Sequence, residues 1–395
     1  MSGIFGLGEV RTEQLNNTWL ESNNYGYFCG GDDNPLTCVI DRLDFSNETI
    51  SLPGSSLTQN RALLAGLSGP DYGYFGGGGY SPYKCTIDRI DFSNEAVAVP
   101  PAGKQLTHAR QGVSAVFSSN NGYFAGGEST NDICTIERID FSSETVSLFG
   151  SSLTYNRYQL AGVPNSNYGY FAGGETYSTY HCTIDRIDFS SEVVAVPPVG
   201  NQLSDSRKAL AAVSNSNYGY FGGGRSPDHV CTIDRIDFSS ETVSAPGTYQ
   251  LTQARYSYAG VSNFNYGYFV AGYEYAVGND FVSTIDRIDF SNETVAVPPV
   301  GTQVTKSRSG LAGVSDGKSV NSKGVRKGSD KDGKGISSTY GYFVGGFAPP
   351  NVCTIDRIDF SSETVAVPPV GDQLTQARNA HAGLSNLNYG YFGGG

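Results

Sequence analysis

The chain has 395 residues, 26 Lys+Arg against 38 Asp+Glu for a net charge of -12, 51 glycines and 12% aromatic residues. That charge has the wrong sign for a protein whose main partner is nucleic acid, and so much glycine alongside so many Tyr and Phe argues against a helical fold, because glycine weakens helices while aromatics suit pleated sheets. Seven widely spaced cysteines exclude a small disulfide scaffold; the absence of a basic-then-apolar leader and of any 18-residue apolar run leads us to expect neither a secretion signal nor membrane insertion.

Residues 1–22 read as an irregular N-terminal arm. Trp19, the single tryptophan, lies there; it is either a packing residue of its own domain or an anchor that docks on a partner protein. From residue 23 to 395 one block recurs. Its landmark is Tyr-Gly-Tyr-Phe followed by glycines, ending at Phe28, Phe75, Phe124, Phe171, Phe221, Phe269, Phe343 and Phe392, with Asn121 replacing the first tyrosine in the third copy. Successive gaps are 47, 49, 47, 50, 48, 74 and 49 residues, a period that calls for a solenoid or propeller.

Within one period, 208–214 predicts a first strand, 218–224 a second that breaks at its glycines, 231–238 a third and 242–246 a short fourth, with turn residues between them. Four short antiparallel strands cannot bury both faces alone, but radially arranged copies can pack against one another and protect their ends by closing. Strict alternation through the third strand puts Ile233, Arg235 and Asp237 on one face and Asp234, Ile236 and Phe238 on the other, so neither face is purely apolar. Either both faces meet neighbouring sheets, or a bulge changes the phase. Third-strand motifs centred near Asp41, Asp88, Glu137, Asp185, Asp234, Asp286 and Asp356 number seven, whereas first-and-second-strand hairpins number eight. Either a mixed closing blade absorbs the surplus, the C-terminal hairpin 380–395 joining strands 38–52 and displacing the irregular N-terminal segment, or residues 15–52 form a complete first blade and the last hairpin docks elsewhere; the regular first strand from Asn379 favours the former.

The stretch Ile233 to Val243, IDRIDFSSETV, resembles the kelch repeat's run of valine, glutamate, arginine, tyrosine, aspartate and proline before a turn that ends in tryptophan. The Gly-Gly pair after an aromatic strand and the arginine before the first strand match kelch as well. The chain departs from it at Ile236 and Val243, where kelch favours tyrosine and tryptophan, and carries its aromatic bulk in Tyr218, Tyr220 and Phe221. The resemblance implies an all-β fold, a seven-bladed kelch-like β-propeller with four-stranded antiparallel blades. The repeat wording, especially NYGYFGGG and TIDRIDFSSETV, is similar to proteins of tailed phages that infect cyanobacteria and other marine bacteria, in which such propellers occur in virion structural or tail-associated proteins.

Arg61, Arg110, Arg157, Arg207, Arg255, Arg308 and Arg378 precede the first strands, and Arg42, Arg89, Arg138, Arg186, Arg235, Arg287 and Arg357 recur in the third, each with acids beside it. A working active site gathers unlike groups at one place, so charges repeated blade by blade are expected to be structural, one ion-pair and hydrogen-bond set per blade. The cysteines Cys38, Cys85, Cys134, Cys182, Cys231 and Cys353 share one repeat position and read as small buried thiols; only Cys29 and Cys38 sit in neighbouring strands of one blade. The histidines fall at scattered repeat positions, Asp32-Asp33-Asn34 lacks calcium-loop spacing, and the glycine runs lack the Gly-Lys-Ser/Thr of a phosphate loop. No catalytic, metal or cofactor-binding set is expected. The one break in symmetry is a basic insertion at 316–338, where Lys318, Lys323, Arg326, Lys327, Lys331 and Lys334 outnumber three acids. It reads as a tolerated hairpin insertion or as a contact to an acidic virion surface, nucleic acid or host polyanion.

These readings lead us to expect a noncatalytic phage virion protein, tail- or capsid-associated, assembled in the host bacterial cytoplasm and serving as a rigid scaffold for other virion proteins. The alternatives are a tail or fibre module that binds a host-surface receptor or glycan and, below that, a propeller enzyme.

Overall fold

The computed structural model of the chain covers residues 25–394 except for the segments 298–311, 316–339, 345–354 and 367–380 and gaps of one to five residues; side chains are defined mainly within 55–297. The described residues form an all-β structure in which six four-stranded antiparallel sheets repeat, each in strict sequence order from first strand to fourth. We number them in chain order: sheet 1 spans residues 65–98, sheet 2 114–152, sheet 3 161–195, sheet 4 211–244, sheet 5 259–296 and sheet 6 312–366. Sheet 3 is representative, with strands Ala161–Pro164, Tyr168–Ala172, Ile184–Asp188 and Val194–Ala195. The expected strands are all present, shorter than the sequence suggested because turn hydrogen bonds take their ends. In sheet 4, for instance, Asn215 Oδ1 accepts from the Asn217 and Tyr218 amides, and Asp237 Oδ1 accepts from the Ser239 and Ser240 amides.

The mixed character of the third strand follows from burial on both faces, and in sheet 4 its pairing runs without a bulge: Tyr218 faces Asp237 and Phe221 faces Asp234 in unbroken register. In sheet 3, Tyr170 and Phe171 are consecutive yet both 0% exposed. The Phe171 face packs with Val116, Tyr123 and Ile136 of sheet 2, while the Tyr170 face packs with Phe221, Ile236 and Phe238 of sheet 4. Successive sheets thus stack face to face, and the first strand of each adjoins the first strand of the next, from Ala65–Ser68 through to Ala312–Ser315. Close stacking depends on the glycine of the Tyr-Gly-Tyr-Phe strand. A Cβ on Gly169 would lie 2.5 Å from Val116 Cγ2 of sheet 2.

The chain's two ends share a further sheet. Its strand order is Ile50–Ser51, Leu36–Asp44, Tyr25–Asp32, Gly390–Gly394 and His381–Ser385, five strands rather than four. The expected mixing of ends is present, but the N-terminal hairpin strand is not displaced. Tyr25–Asp32 holds the usual register with its own third strand, Phe28 opposite Asp41, and the C-terminal strand joins in parallel through only Phe28–Phe392 and Cys29–Gly393. A local hairpin closes at lower entropic cost than a pairing across the whole chain, which favours keeping the N-terminal strand. His381–Ser385 adjoins both Ala65–Ser68 and Ala312–Ser315.

Candidate functional site

The arginines before the first strands are wholly buried in sheets 1 to 5, and each pairs with the acid of its own third strand: Arg61 with Asp88 (2.6 Å), Arg110 with Glu137, Arg157 with Asp185 (2.6 Å), Arg207 with Asp234 (2.5 Å) and Arg255 with Asp286 (2.8 Å). The guanidinium also donates to backbone carbonyls. Arg157 reaches Gly173 O, Thr183 O and Phe171 O at 2.6, 2.7 and 3.1 Å, so one planar group ties the end of the second strand to the start of the third. The carboxylate in turn accepts from the residue three positions before the arginine: the Thr154 amide and hydroxyl bind Asp185. Leu153, ahead of that threonine, is 3% exposed, as are its counterparts Leu57, Leu106, Leu203 and Leu251. The signature is therefore Leu-Thr/Ser-x-x-Arg plus the third-strand acid. In sheets 1 to 5 the leucine and the threonine or serine recur in the sequence as regularly as the arginine and the third-strand acid. Burial pushes the Arg110 and Arg157 pKa values down, with the paired carboxylates opposing, and pushes the Asp234 carboxyl up against the pull of Arg207.

The third-strand arginines work between sheets. Arg89 pairs with Glu144 of sheet 2 (2.5 Å), Arg138 with Glu192 of sheet 3, Arg186 with Glu241 of sheet 4 (2.5 Å) and Arg235 with Glu293 of sheet 5 (2.5 Å). The acids adjacent in sequence are not their partners, because alternation turns those to the opposite face and into the buried pairs. The guanidiniums of Arg89, Arg186, Arg235 and Arg287 also lie 4.3–4.5 Å above the rings of Tyr72, Tyr168, Tyr218 and Tyr266. Arg42 and Arg357 occupy the same strand register, opposite Tyr27 and Tyr342, but their side chains lie outside the described residues.

The partner glutamates lie in the turns between the third and fourth strands. All sit at left-handed backbone, φ 52 for Glu144, 58 for Glu192, 56 for Glu241 and 59 for Glu293, where glycine would be the unstrained choice. They are held there by the arginine and, in three cases, by a tyrosine of the preceding sheet: Tyr74, Tyr170 and Tyr220 donate to Glu144, Glu241 and Glu293 at 3.2, 3.2 and 3.0 Å. Burial first, and the carboxylate beside each second, pushes these three phenols above their ordinary pKa of 10.0. The native state therefore holds these protons more tightly than the unfolded chain does, and the associated stability is present below pH 10 and lost as pH rises above it. The melting temperature is expected to stay level up to about pH 9 and to fall between about pH 10 and 12, with phenolate absorbance rising together with loss of the β-sheet circular dichroism signal. Phenolate formation in these tyrosines with the sheet signal intact would contradict it.

Sheet 2 lacks the tyrosine platform because Asn121 stands where Tyr72, Tyr168 and Tyr218 stand in the others, and its Arg138–Glu192 side chains are 29% and 38% exposed, against 20% and 10% for Arg186–Glu241. Asn121→Tyr is expected to stabilise the protein by about 0.5–1 kcal/mol, visible as a rise of a few degrees in melting temperature. A fall would show that the sites are not equivalent.

The cysteines are half-buried and reduced at positions 38, 85, 134, 182 and 231, less enclosed than the buried thiols expected. They sit at the sheet rim, where Cys85 and Cys182 donate to the side-chain oxygens of Gln105 and Gln202 at 2.9 and 3.0 Å. Trp19 and the basic residues Lys318, Lys323, Arg326, Lys327, Lys331 and Lys334 lie outside the described residues.

Strand alternation divides each sheet into two ends. At one end lie the first-to-second and third-to-fourth turns, which vary little from sheet 1 to sheet 5, while the 316–338 insertion falls between the first two strands of sheet 6; a groove of about 420 Å³ between sheets 3 and 4 is lined there by Asn165, Asn167, Tyr168, Asn217, Tyr218 and Phe238. At the other lie the second-to-third loops, which differ from repeat to repeat: GGGYSPYKC at 77–85, GGESTNDIC at 126–134, GGETYSTYHC at 173–182 and GGRSPDHVC at 223–231. The paired glycines launching each loop are fixed. The amides of Gly78, Gly127, Gly174 and Gly224 donate to the carbonyls of Arg110, Arg157, Arg207 and Arg255, the arginines leading into the following sheet. A Cβ on Gly126, at φ 66, would meet Arg157 O at 2.5 Å. Rigid glycine hinges thus carry variable tips rich in Tyr, Ser, Thr and Asn, the side chains that combine amphipathic contact with adaptable hydrogen bonding in recognition loops.

No protein-family model matches the chain, and no curated protein matches it. The class is defined by its architecture alone: an all-β repeat protein of blade-like four-stranded antiparallel sheets with recurring buried salt bridges.

Proposed function

We propose that the protein is a noncatalytic docking scaffold, a seven-bladed closed propeller whose variable loop end engages other proteins of a bacteriophage particle. The observation that carries this reading is the division of labour among the residues. The repeated charges are taken up within and between sheets, while the second-to-third loops of sheets 1 to 4 change from repeat to repeat on glycine hinges at one end; the 316–338 insertion of sheet 6 lies in a first-to-second connection. Closure is supported by His381–Ser385 lying against the first strands of both sheet 1 and sheet 6, and a count of seven by adding the sheet of the two termini to the six others. The phage assignment, the tail or capsid position and assembly in the bacterial cytoplasm rest on the similarity of the repeats to virion proteins of marine phages. Mass spectrometry and imaging of purified particles test it. The chain should appear in fixed stoichiometry as a seven-lobed ring whose 77–85, 126–134, 173–182 and 223–231 loops contact a neighbour. Its absence from particles, or contact through the opposite end, would overturn the reading.

A further inference from the structure

Sheet 3 carries an extra two-stranded hairpin, Glu175–Thr176 against Thr179–Tyr180, with Tyr177 at its turn. Tyr177 is 67% exposed and has φ 48, a left-handed conformation that bulky side chains avoid and that glycine would adopt without strain. Such strain persists where a site needs it. The neighbouring loop of sheet 2 holds the residue in place: the Tyr177 amide donates to Asp132 Oδ2 and its hydroxyl to Asn131 Oδ1, each at 2.8 Å. The polar edge of the phenol is engaged, so the free chemistry of this side chain is the flat face of its ring.

A second exposed ring stands close by. Tyr155, in the connection leading into sheet 3, is 48% exposed and stacks one face on His181 with centroids 4.8 Å apart. His181 Nε2 lies 2.8 Å from Thr176 Oγ1, next to Tyr177 in the chain. Two aromatic platforms are thus separated by an imidazole and a hydroxyl and bordered by Asn131 and the largely buried carboxylate of Asp132.

We propose that this is a carbohydrate-binding site, with Tyr177 and Tyr155 each receiving the C–H face of a pyranose ring and the bordering amide, carboxylate and imidazole receiving its hydroxyls. A sugar offers that combination, one apolar face edged by donors and acceptors, whereas a protein hot spot needs an enclosed apolar centre that rings parted by polar groups do not provide. The net charge of -12 disfavours polyanionic chains, which leaves neutral glycans. This goes beyond the scaffold reading, which concerns protein partners; a neighbour seated on the 126–134 and 173–182 tips would compete with the sugar for the same residues.

Native electrophoresis of the intact chain through gels containing dextran, laminarin, mannan, galactomannan or xyloglucan tests the site. At least one polysaccharide should retard the wild type. Tyr177→Gly should weaken that retention by about tenfold or more while leaving the melting temperature unchanged or higher, since glycine accepts the left-handed backbone. Tyr155→Ala should weaken it as well, and Leu148→Ala, which alters an exposed side chain on the outer strand of sheet 2, should not. Retardation by none of the five, or retention that survives Tyr177→Gly, would overturn the proposal. So would loss of a phage-protein contact in Tyr177→Gly with no sugar binding in the wild type.

Discussion

Asp185→Ala is expected to destabilise the protein by about 3–5 kcal/mol, because it leaves the Arg157 guanidinium buried without its counter-charge. Both side chains are 0% exposed, so water cannot replace the lost carboxylate without opening the sheet. The Thr154 amide and hydroxyl lose their acceptor in the same step. Urea denaturation with matched slopes measures the loss. The double variant Arg157→Met with Asp185→Leu separates charge from packing, since exchanging a whole buried pair for apolar groups is often close to neutral. Here it should recover only part of the loss, because the Gly173, Thr183 and Phe171 carbonyls would keep no donor from residue 157. Full recovery would mean that the carbonyl bonds contribute nothing.

Tyr170→Ala should cost a similar amount, about 3–5 kcal/mol, for removing a fully buried aromatic side chain. Its ring stacks on Phe238 of sheet 4 at a centroid distance of 5.4 Å, and its hydroxyl donates to Glu241 of the same sheet. Tyr170→Phe keeps the stack and loses the hydrogen bond, and its cost should be about 1–2 kcal/mol. The difference between the two variants measures ring packing between sheets. If Tyr170→Phe were as damaging as Tyr170→Ala, the hydroxyl and the strained glutamate it holds would dominate the junction.

The sequence carried the architecture in its period. The near-regular spacing of the Tyr-Gly-Tyr-Phe strands and third-strand motifs placed the repeated sheets, whereas the alternation of Ile233 to Phe238 left open whether both faces are covered or a bulge changes the phase. It did not assign the charge partners. Arg186 and Asp185 are neighbours in the chain but point to opposite faces, so adjacency misled; the acid that meets Arg186 is Glu241, 55 residues away in the following sheet. Glu241 looked like an ordinary turn residue, although its recurrence where glycine would be less strained was a readable sign of an enforced role. Tyr177 was hidden for a different reason. It belongs to one repeat only, and its exposure depends on Asn131 and Asp132 from another.

Among the described residues the third-strand arginines all pair the same way, from the earlier sheet to a glutamate of the later one, and only Lys208, ahead of sheet 4, reaches back to Glu175 of sheet 3. The stack therefore has a direction, and its two flanks are unlike but mutually complementary. A polypeptide severed between sheets would bare a basic flank at one cut and an acidic flank at the other, matched to join tip to tail with further copies. Unclosed heterologous contacts of that kind grow into filaments, so proteolytic nicking or an incomplete translation product would seed polymers rather than release inert pieces.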